Sequence, residues 1–189
     1  MLISKIKRGI RLLSNNRQFR IEIKKKGGRI HKGVKVGIRG CFEVGKDVVI
    51  ASHGIDLFER SQIISTYESM IMIGNNVGMS SVSIFCKEKI EIGDYVNIGA
   101  GTMIFDSNFH NTDWRIRRER VKDVESSQNA PIVIEHDVFI GARCIIMKGV
   151  TIGSRSIIAA GSVVCRDIPA DCIAGGNPCK VIKQLSEPK

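Results

Sequence analysis

Aromatic side chains are scarce in this sequence. They make up 5% of its 189 residues and include one Trp and two Tyr. The 43% of hydrophobic residues is ordinary for a globular protein, so the interior is expected to consist mainly of stacked aliphatic side chains. Nineteen glycines favour a turn-rich architecture. The length is enough for one domain with a substantial core.

Long apolar stretches are missing as well. No run approaches the roughly 18 apolar residues that a membrane-spanning helix needs. The first three residues lead straight into charges, without the apolar region of a secretory signal. The six cysteines form no C-x-x-C pair. We therefore expect a cytoplasmic location with free thiols.

Acidic residues are almost absent from the first part of the chain. Residues 1–39 carry thirteen Lys or Arg and a single acid, Glu22, whereas the remaining residues carry sixteen bases and eighteen acids. The net charge of +10 is therefore an N-terminal property rather than a global one.

The basic N-terminus has the periodicity of a short amphipathic helix over about residues 2–14. Its apolar positions are Leu2, Ile6, Ile10 and Leu13, and Lys and Arg fill the positions between them. Residues 1–30 would then cap the first coil of a repeat domain. Contact with an anionic membrane surface is the alternative. Nucleic acid is disfavoured because no stacking aromatics interleave the bases.

A six-residue repeat dominates the C-terminal half. Aliphatic residues recur at every sixth position: Ile134, Ile140, Ile146, Ile152, Ile158 and Val164. Four positions after the first five stand Val138, Cys144, Val150, Ser156 and Ser162, all of small or medium size. Neither a helix nor an ordinary sandwich has this period, which is that of a hexapeptide β-helix.

The physics of the repeat predicts a solenoid. Each aliphatic residue points inward and stacks on its counterpart one coil away, and each burial contributes roughly 1.5–3 kcal/mol. No single turn is stable alone, so many are required. We predict an all-β solenoid over residues 31–168 with about four or five three-sided coils, and a C-terminal tail over residues 169–189.

One long interruption breaks the repeat at residues 106–131. It holds His110, the only Trp of the chain (Trp114), and a basic run. Long loops on compact solenoids are usually functional. Asp106 is placed either to orient the ring of His110 or to cap the turn that enters the loop, and the same two roles are open to Asn108. Both residues are also candidates for acceptor binding. Trp114 is a candidate for acceptor binding, for subunit contact, or for an ordinary solvated loop face.

Three segments of the sequence resemble the hexapeptide-repeat acyltransferases. They are residues 98–110, a repeat that runs into a histidine-bearing loop; residues 139–164, FIGARCIIMKGVTIGSRSIIAAGSVV; and residues 168–183, IPADCIAGGNPCKVIK. Within that family the sequence is similar to sugar O-acetyltransferases related to maltose and galactoside acetyltransferase, and to capsule, colanic acid and O-antigen acetyltransferases. The resemblance implies a left-handed parallel β-helix, a homotrimer with active sites between subunits, and acetyl-CoA as the donor.

Transfer of an acetyl group to a sugar hydroxyl requires a base, an oxyanion stabiliser and alignment, but no metal. A neutral imidazole suits the base at pH 7. His110 is the best candidate, since it matches the position of the family's catalytic histidine. His31, His53 and His136 are expected to be surface residues.

The resemblance also implies a coenzyme A site. Ala142 and Ala160 match positions whose backbones line the pantetheine tunnel, and Gly141 beside them allows close approach. Cys165 stands where the family often has Thr. Pro178 is expected near the adenine, while Lys180 and Lys183 match bases that meet the phosphates, unless they belong to a solvated tail.

We therefore predict a CoA-dependent O-acetyltransferase acting on a saccharide or sugar nucleotide in surface polysaccharide biosynthesis. An N-acetyltransferase of an amino-sugar or nucleotide-amino-sugar is the closest alternative. A non-catalytic binding solenoid is the alternative of another class. A γ-type carbonic anhydrase would need a close histidine pair that this sequence does not supply, and a serine acetyltransferase would need a large helical domain before the repeat.

Overall fold

The chain folds into a three-sided prism that begins with a helix. The computed structural model describes residues 2–52 and 61–185, with side chains from residue 13 onward. Helix α1 (Leu2–Lys25) precedes short strands that wind into three sheets, and every pairing except the last is parallel. The predicted all-β, left-handed parallel β-helix is thereby confirmed.

The three sheets form the three faces of the prism. Face A contains β1 (Arg29–Ile30), β4 (Val49–Ala51), β7 (Gly78–Ser80), β10 (Asn97–Ile98), β13 (Phe139–Ile140), β16 (Ile157–Ile158), β18 (Cys172–Gly175) and the antiparallel β19 (Lys180–Gln184). Face B contains β2 (Lys35–Gly37), β5 (Gln62–Ser65), β8 (Ser83–Cys86), β11 (Met103–Phe105), β14 (Ile145–Ile146) and β17 (Val163–Val164). Face C contains β3 (Cys41–Val44), β6 (Met70–Ile73), β9 (Lys89–Ile92), β12 (Ile132–Ile134) and β15 (Thr151–Ile152).

Aliphatic side chains stack along the prism axis, as the repeat predicts. On face A, Ile98 pairs with Ile140 and Ile140 with Ile158 in neighbouring strands. All six repeat positions from residue 134 to residue 164 are fully buried. The small and medium side chains four positions later are also buried, because they fill the corners between the faces.

Tight corners explain the small residues that follow the stacked aliphatics. A Cβ added to Gly141 would lie 2.6 Å from the backbone nitrogen of Ala160 in the next coil. Glycine at this position therefore lets successive coils approach each other without a clash.

The number of complete coils is at the upper end of the prediction of four or five. Five coils of three strands, β1–β3 to β13–β15, are followed by β16, β17 and β18. Early coils carry longer strands with two inward residues each, as in β5 and β6, and these strands hide the six-residue period.

Helix α1 is longer than predicted, since it runs to Lys25 rather than to about residue 14. Its C-terminal half covers the first coil with Phe19 and Ile23, both fully buried. The side-chain amide of Asn15 donates to the Gly40 carbonyl at 3.3 Å. Within the described ranges no helix is long and apolar enough to cross a membrane.

Two further helices lie in the long loop that follows β11. They are α2 (Trp114–Arg117) and α3 (Arg120–Glu125), and the chain then returns to face C at β12. The interruption at residues 106–131 is thus a folded excursion from the corner between faces B and C.

Candidate active site

The loop leaves the prism through a narrow, hydrogen-bonded base. Ser107 and Asn129 form an antiparallel bridge. The Asn108 amide donates to the Gln128 carbonyl at 3.0 Å, and the Ala130 amide donates to the Asp106 carbonyl at 2.9 Å. Because both ends of the loop are tied together, the loop has a fixed exit from β11.

An aromatic cluster holds the residue before His110. The ring of Phe109 packs edge-to-face against Phe85 and Phe105, with both centroid distances at 5.5 Å. Phe109 has a φ of 60°, a left-handed conformation that is unusual for a bulky residue. The His110 amide closes the turn by donating to the Asn108 carbonyl at 2.7 Å. This cluster of Phe85, Phe105 and Phe109, here called the aromatic clamp, therefore fixes the backbone of His110 against face B.

A buried carboxylate orients the His110 ring. Nδ1 of His110 lies 2.7 Å from Oδ2 of Asp123, and Oδ1 of Asp123 accepts the Asn111 amide at 2.7 Å. The Asp123 side chain is 6% exposed, whereas that of His110 is 66% exposed. The hydrogen bond from His110, followed by that from Asn111, lowers the pKa of Asp123.

The ionised Asp123 determines which nitrogen of His110 is basic. A carboxylate only accepts hydrogen bonds, so Nδ1 carries the proton in the neutral ring and Nε2 presents the lone pair. Among the described residues no hydrogen bond engages Nε2. The pair thus has the arrangement of a general base and its orienting group.

Asp106 does not orient His110, contrary to one of the two sequence expectations. Its side chain is fully buried, and its carboxylate accepts the backbone amides of Lys87 at 2.7 Å and Glu88 at 2.8 Å. Cys86 donates to the same carboxylate at 3.4 Å. Asp106 therefore caps the turn between β8 and β9, and its burial excludes the acceptor contact that we expected of it.

The Cys86 thiol at this turn is not a nucleophile. Burial, with the neighbouring Asp106 carboxylate as a further cause, raises its pKa to about 12. The thiol thus stays protonated at neutral pH, whereas thiolates are the reactive species.

The loop that carries His110 also presents an exposed aromatic ring. Trp114 is 54% exposed and begins α2, which Asp113 caps by accepting the Arg115 amide at 2.9 Å. The guanidinium of Arg118 lies 4.5 Å from the centre of the indole ring. Arg117 instead donates to the carbonyls of the segment after His110. Ring and cation together form a surface for a polar ligand with a flat face.

A groove of about 370 Å³ runs over face B at the foot of the loop. Ser107, Asn108 and Phe109 line it on the loop side. Its floor and far side are Phe105, Ile145, Ile146, Met147, Lys148 and Val163. Asn108, a predicted acceptor contact, thus faces this groove. A larger groove of about 660 Å³ lies between α1 and face C, but it contains none of the predicted site residues.

Part of the predicted coenzyme A wall lies at the corner between faces A and B. Ala142 and Ala160 are exposed there in successive coils, and the Gly161 amide donates to the Ala142 carbonyl at 2.8 Å. Gly141 is buried beneath them. Cys165, which is exposed, follows β17 at the opposite edge of face B. These positions therefore flank face B on both sides.

The C-terminal tail folds back as a hairpin on face A. The peptide between Asn177 and Pro178 is cis, and Pro178 is exposed at the turn between β18 and β19. Lys180 and Lys183 lie on β19 with exposed side chains. The two lysines are therefore accessible to an anionic ligand.

The other histidines occupy different places. His136 hydrogen-bonds Asp137 at 3.0 Å and Ser154 at 3.0 Å, and His31 accepts the Gly33 amide at 3.1 Å. His53 lies outside the described residues. In the described parts of the chain no three His, Cys, Asp or Glu side chains are grouped to hold a metal ion.

Sequence reasoning missed Asp123. It follows His110 by thirteen residues, and no local spacing links the two. The available signal was weaker: an acid on a short helix within the same loop, where exposed Lys and Arg outnumber exposed acids. Only the fold of the loop brings the two side chains together.

Comparisons with known proteins agree with the repeat and the fold. Residues 131–166 match a family model described as the hexapeptide repeat of succinyl-transferase. A tetrahydropyridine-dicarboxylate N-acetyltransferase of Staphylococcus aureus is 47% identical over 64 residues, 34% of this chain and 27% of that protein. The chain thus spans about a quarter of the length of the curated relatives it matches.

Two solved structures extend the comparison to most of the chain. A hexapeptide-repeat acetyltransferase of Vibrio cholerae, complexed with acetyl coenzyme A, is 28% identical with a TM-score of 0.50, covering 95% of this chain and 85% of its own. A mutant of AntD, an N-acyltransferase from Bacillus cereus, in complex with dTDP and coenzyme A, is 21% identical with a TM-score of 0.67, covering 88% of each chain. The second likeness shows the fold alone.

Proposed function

We propose that this chain, which shares the repeat and the left-handed β-helix of the hexapeptide-repeat acyltransferases, transfers an acetyl group from acetyl-CoA to a saccharide hydroxyl. The observation that carries the proposal is the pair of His110 and Asp123, held at 2.7 Å beside a groove on face B. The position of the pair on a clamped loop leaves the basic nitrogen toward solvent, where an acceptor can approach.

His110 acts as the general base. Nε2 takes the proton from the acceptor hydroxyl as its oxygen becomes the nucleophile, a contribution of typically 10²–10⁴-fold in rate. Asp123 stabilises the imidazolium that forms and keeps the ring from rotating. Acetyl-CoA, when bound, would supply the acyl group as a thioester, whose C–S bond breaks as the new C–O bond forms; the departing thiolate would take up the proton held by His110.

The residues present fit the shape and charge of coenzyme A. The exposed small side chains of Ala142 and Ala160, above the buried Gly141, leave room along the edge of face B for a narrow chain. Cys165 lies at the other edge. At the tail, Pro178, Lys180 and Lys183 are exposed and would meet the nucleotide end, where the lysines would pair with its phosphates.

The acceptor is proposed to lie between the loop and the groove. Asn108 supplies a hydrogen-bonding amide, and the Trp114 ring offers a flat apolar face for a sugar ring. The groove is open, and Met147, 40% exposed, lies in its wall. A homotrimer in which a second subunit closes each groove would complete the site. We place the reaction on the cytoplasmic side of surface polysaccharide biosynthesis.

A second candidate is transfer to an amine. It is favoured by the local match to a relative named as an N-acetyltransferase. The same base would take a proton from the ammonium form of the acceptor, so that the neutral amine could attack the thioester. A release assay for free CoA thiol, with acetyl-CoA against sugars, nucleotide sugars and amino-sugars, separates the two candidates. Thiol release with acceptors that lack an amine favours transfer to a hydroxyl, and release with amino-sugars alone favours transfer to the amine. Lack of thiol release with every acceptor would favour the binding-solenoid alternative.

The role of His110 is tested by substitution. His110→Ala is expected to lower turnover by at least about 10²-fold, the lower range for a lost general base, while the Kd for coenzyme A changes little. His136→Ala is the matched control, since that exposed ring also hydrogen-bonds a carboxylate but lies away from the groove. Near-normal turnover of His110→Ala would refute the assignment.

A further inference from the structure

The N-terminal end of the prism carries an unneutralised positive charge. Lys24, Lys25, Lys26, Arg29, Lys32 and Lys35, here called the basic pole, are all exposed. No Asp or Glu occurs between Glu22 and Glu43 in the sequence. Within the described residues only Lys25 of the pole has a carboxylate partner, Glu22 at 3.7 Å.

The basic pole lies at one end of the prism axis. Strand β1 is the edge of face A and β2 is the edge of face B, so Arg29, Lys32 and Lys35 belong to the first coil. Lys24 and Lys25 lie in the last turn of α1, and Lys26 follows it directly. Phe19 and Ile23 of the same helix pack on the first coil. Residues 40–189 carry sixteen bases and eighteen acids, so the rest of the molecule has almost no net charge.

We propose that this end docks on an anionic lipid bilayer through the basic pole. Several Lys and Arg in one exposed cluster are attracted to an anionic leaflet, and each adds on the order of fivefold in affinity. Helix α1 leaves from the same end, and its Leu13 is 72% exposed, available for an apolar contact with the interface. Single-stranded nucleic acid fits less well, because residues 24–35 contain no aromatic side chain on which bases could stack.

Docking in this orientation sets the distance between the bilayer and the loop that carries His110. Strand β11, from which the loop leaves, is the fourth strand of face B counted from β2. Three strand spacings of about 4.8 Å place its start roughly 14 Å from the first coil. A lipid-linked saccharide would then reach His110 from the side of the bilayer. This consequence rests on the proposed function, whereas the docking itself does not.

Sedimentation of the intact chain with vesicles tests the docking. Vesicles of phosphatidylglycerol and phosphatidylcholine are expected to bind it, and vesicles of phosphatidylcholine alone are not. The triple variant Lys24→Gln, Lys32→Gln, Lys35→Gln should lower the affinity about 100-fold, from three losses of about fivefold. Absence of binding by the intact chain, or a triple variant that binds as well, would overturn the proposal.

A matched control separates the effect of the basic pole on vesicle binding from the effect of net charge. Arg118→Gln, Arg120→Gln, Lys122→Gln removes the same three charges from the loop and is expected to bind within about threefold of the unsubstituted chain. An equal loss in both variants would mean that net charge alone drives binding. Tighter binding to a DNA oligonucleotide than to the anionic vesicles would likewise overturn the assignment of a bilayer.

The single tryptophan reports the orientation. Trp114 lies on the loop, above the pole, and is the only Trp in the chain. Vesicles containing brominated acyl chains should leave its fluorescence unchanged although the protein sediments with them. Quenching would contradict end-on docking. Neither readout requires turnover, so failure here is distinguishable from failure of the proposed acyl transfer.

Discussion

At the scale of single residues, the candidate site depends on which of two carboxylates meets His110. Asp106 and Asp123 are both nearly excluded from solvent, yet only Asp123 contacts the ring. The carboxylate oxygens of Asp106 instead accept hydrogen bonds from two backbone amides of the turn between β8 and β9. The histidine was predictable from its position after a repeat strand, but its partner was not, since proximity in sequence favoured Asp106.

Asp123→Asn is expected to lower kcat by at least about tenfold with little change in KM for acetyl-CoA, because the ring loses its orienting anion. Glu125→Gln, an exposed neighbour on the same helix, is the control. Steady-state kinetics measure both. Equal kcat values in the two variants would show that Asp123 does not act through His110.

The lowered pKa of Asp123 also predicts a pH dependence of stability. The depressed folded-state pKa means that its contribution is present above the unfolded pKa, near 3.9, and is lost as the pH falls through the folded value. The difference in free energy of unfolding between the unsubstituted chain and Asp123→Asn should therefore shrink below about pH 4. Urea denaturation at several pH values measures it, and a constant difference would contradict the sign.

Asp106→Ala should destabilise the fold rather than act on the chemistry. Two partly buried backbone amides lose their fully buried acceptor, at up to roughly 1–3 kcal/mol each, so the free energy of unfolding should fall by up to roughly 2–6 kcal/mol. Denaturant titration measures the loss. A variant as stable as the unsubstituted chain would show that water replaces the carboxylate.

At the scale of elements, α1 and the long loop show what periodicity can and cannot predict. The apolar spacing of residues 2–13 predicted the start of the helix, but its continuation to Lys25 depends on packing of Phe19 and Ile23 against the first coil. The loop was visible only as a break in the repeat. Its aromatic clamp depends on contacts of Phe109 with Phe85 and Phe105, which come from different coils.

The anchoring of α1 predicts the effect of two substitutions on it. Phe19→Ala should lower the free energy of unfolding by about 3–5 kcal/mol, because a fully buried ring is lost from the end of the core. Leu13→Ala, at a position that is 72% exposed on the same helix, should change it by less than about 0.5 kcal/mol. Thermal or denaturant unfolding compares them; similar losses in both would mean that the helix packs differently.

At the scale of the whole molecule, stability is distributed along the prism axis. Each coil contacts only its neighbours, so the central coils are supported by coils on both sides, whereas the first coil has a second coil on one side and α1 on the other. The +10 charge is also arranged along this axis, with the basic pole at the end that begins with β1.

Hydrogen exchange should follow this arrangement. The amides of Asn97 and Phe139, bonded to carbonyls of the next coil at 3.0 Å each, should exchange more slowly than that of Arg29 in the first coil. Mass spectrometry of exchanged peptides measures the difference. Uniform protection from β1 to β16 would indicate that the prism opens only as a single unit.

The sequence by itself determined the repeat, the inward aliphatic stack and the polarity of charge, because each depends on residue type at regular spacing along the chain. It also placed His110 at the exit of a loop. Tertiary structure alone decided that Asp123 rather than Asp106 orients the ring, and that a groove on face B lies beside it. These contacts join coils and loop segments that are distant in sequence, and only the winding of the prism sets which of them meet.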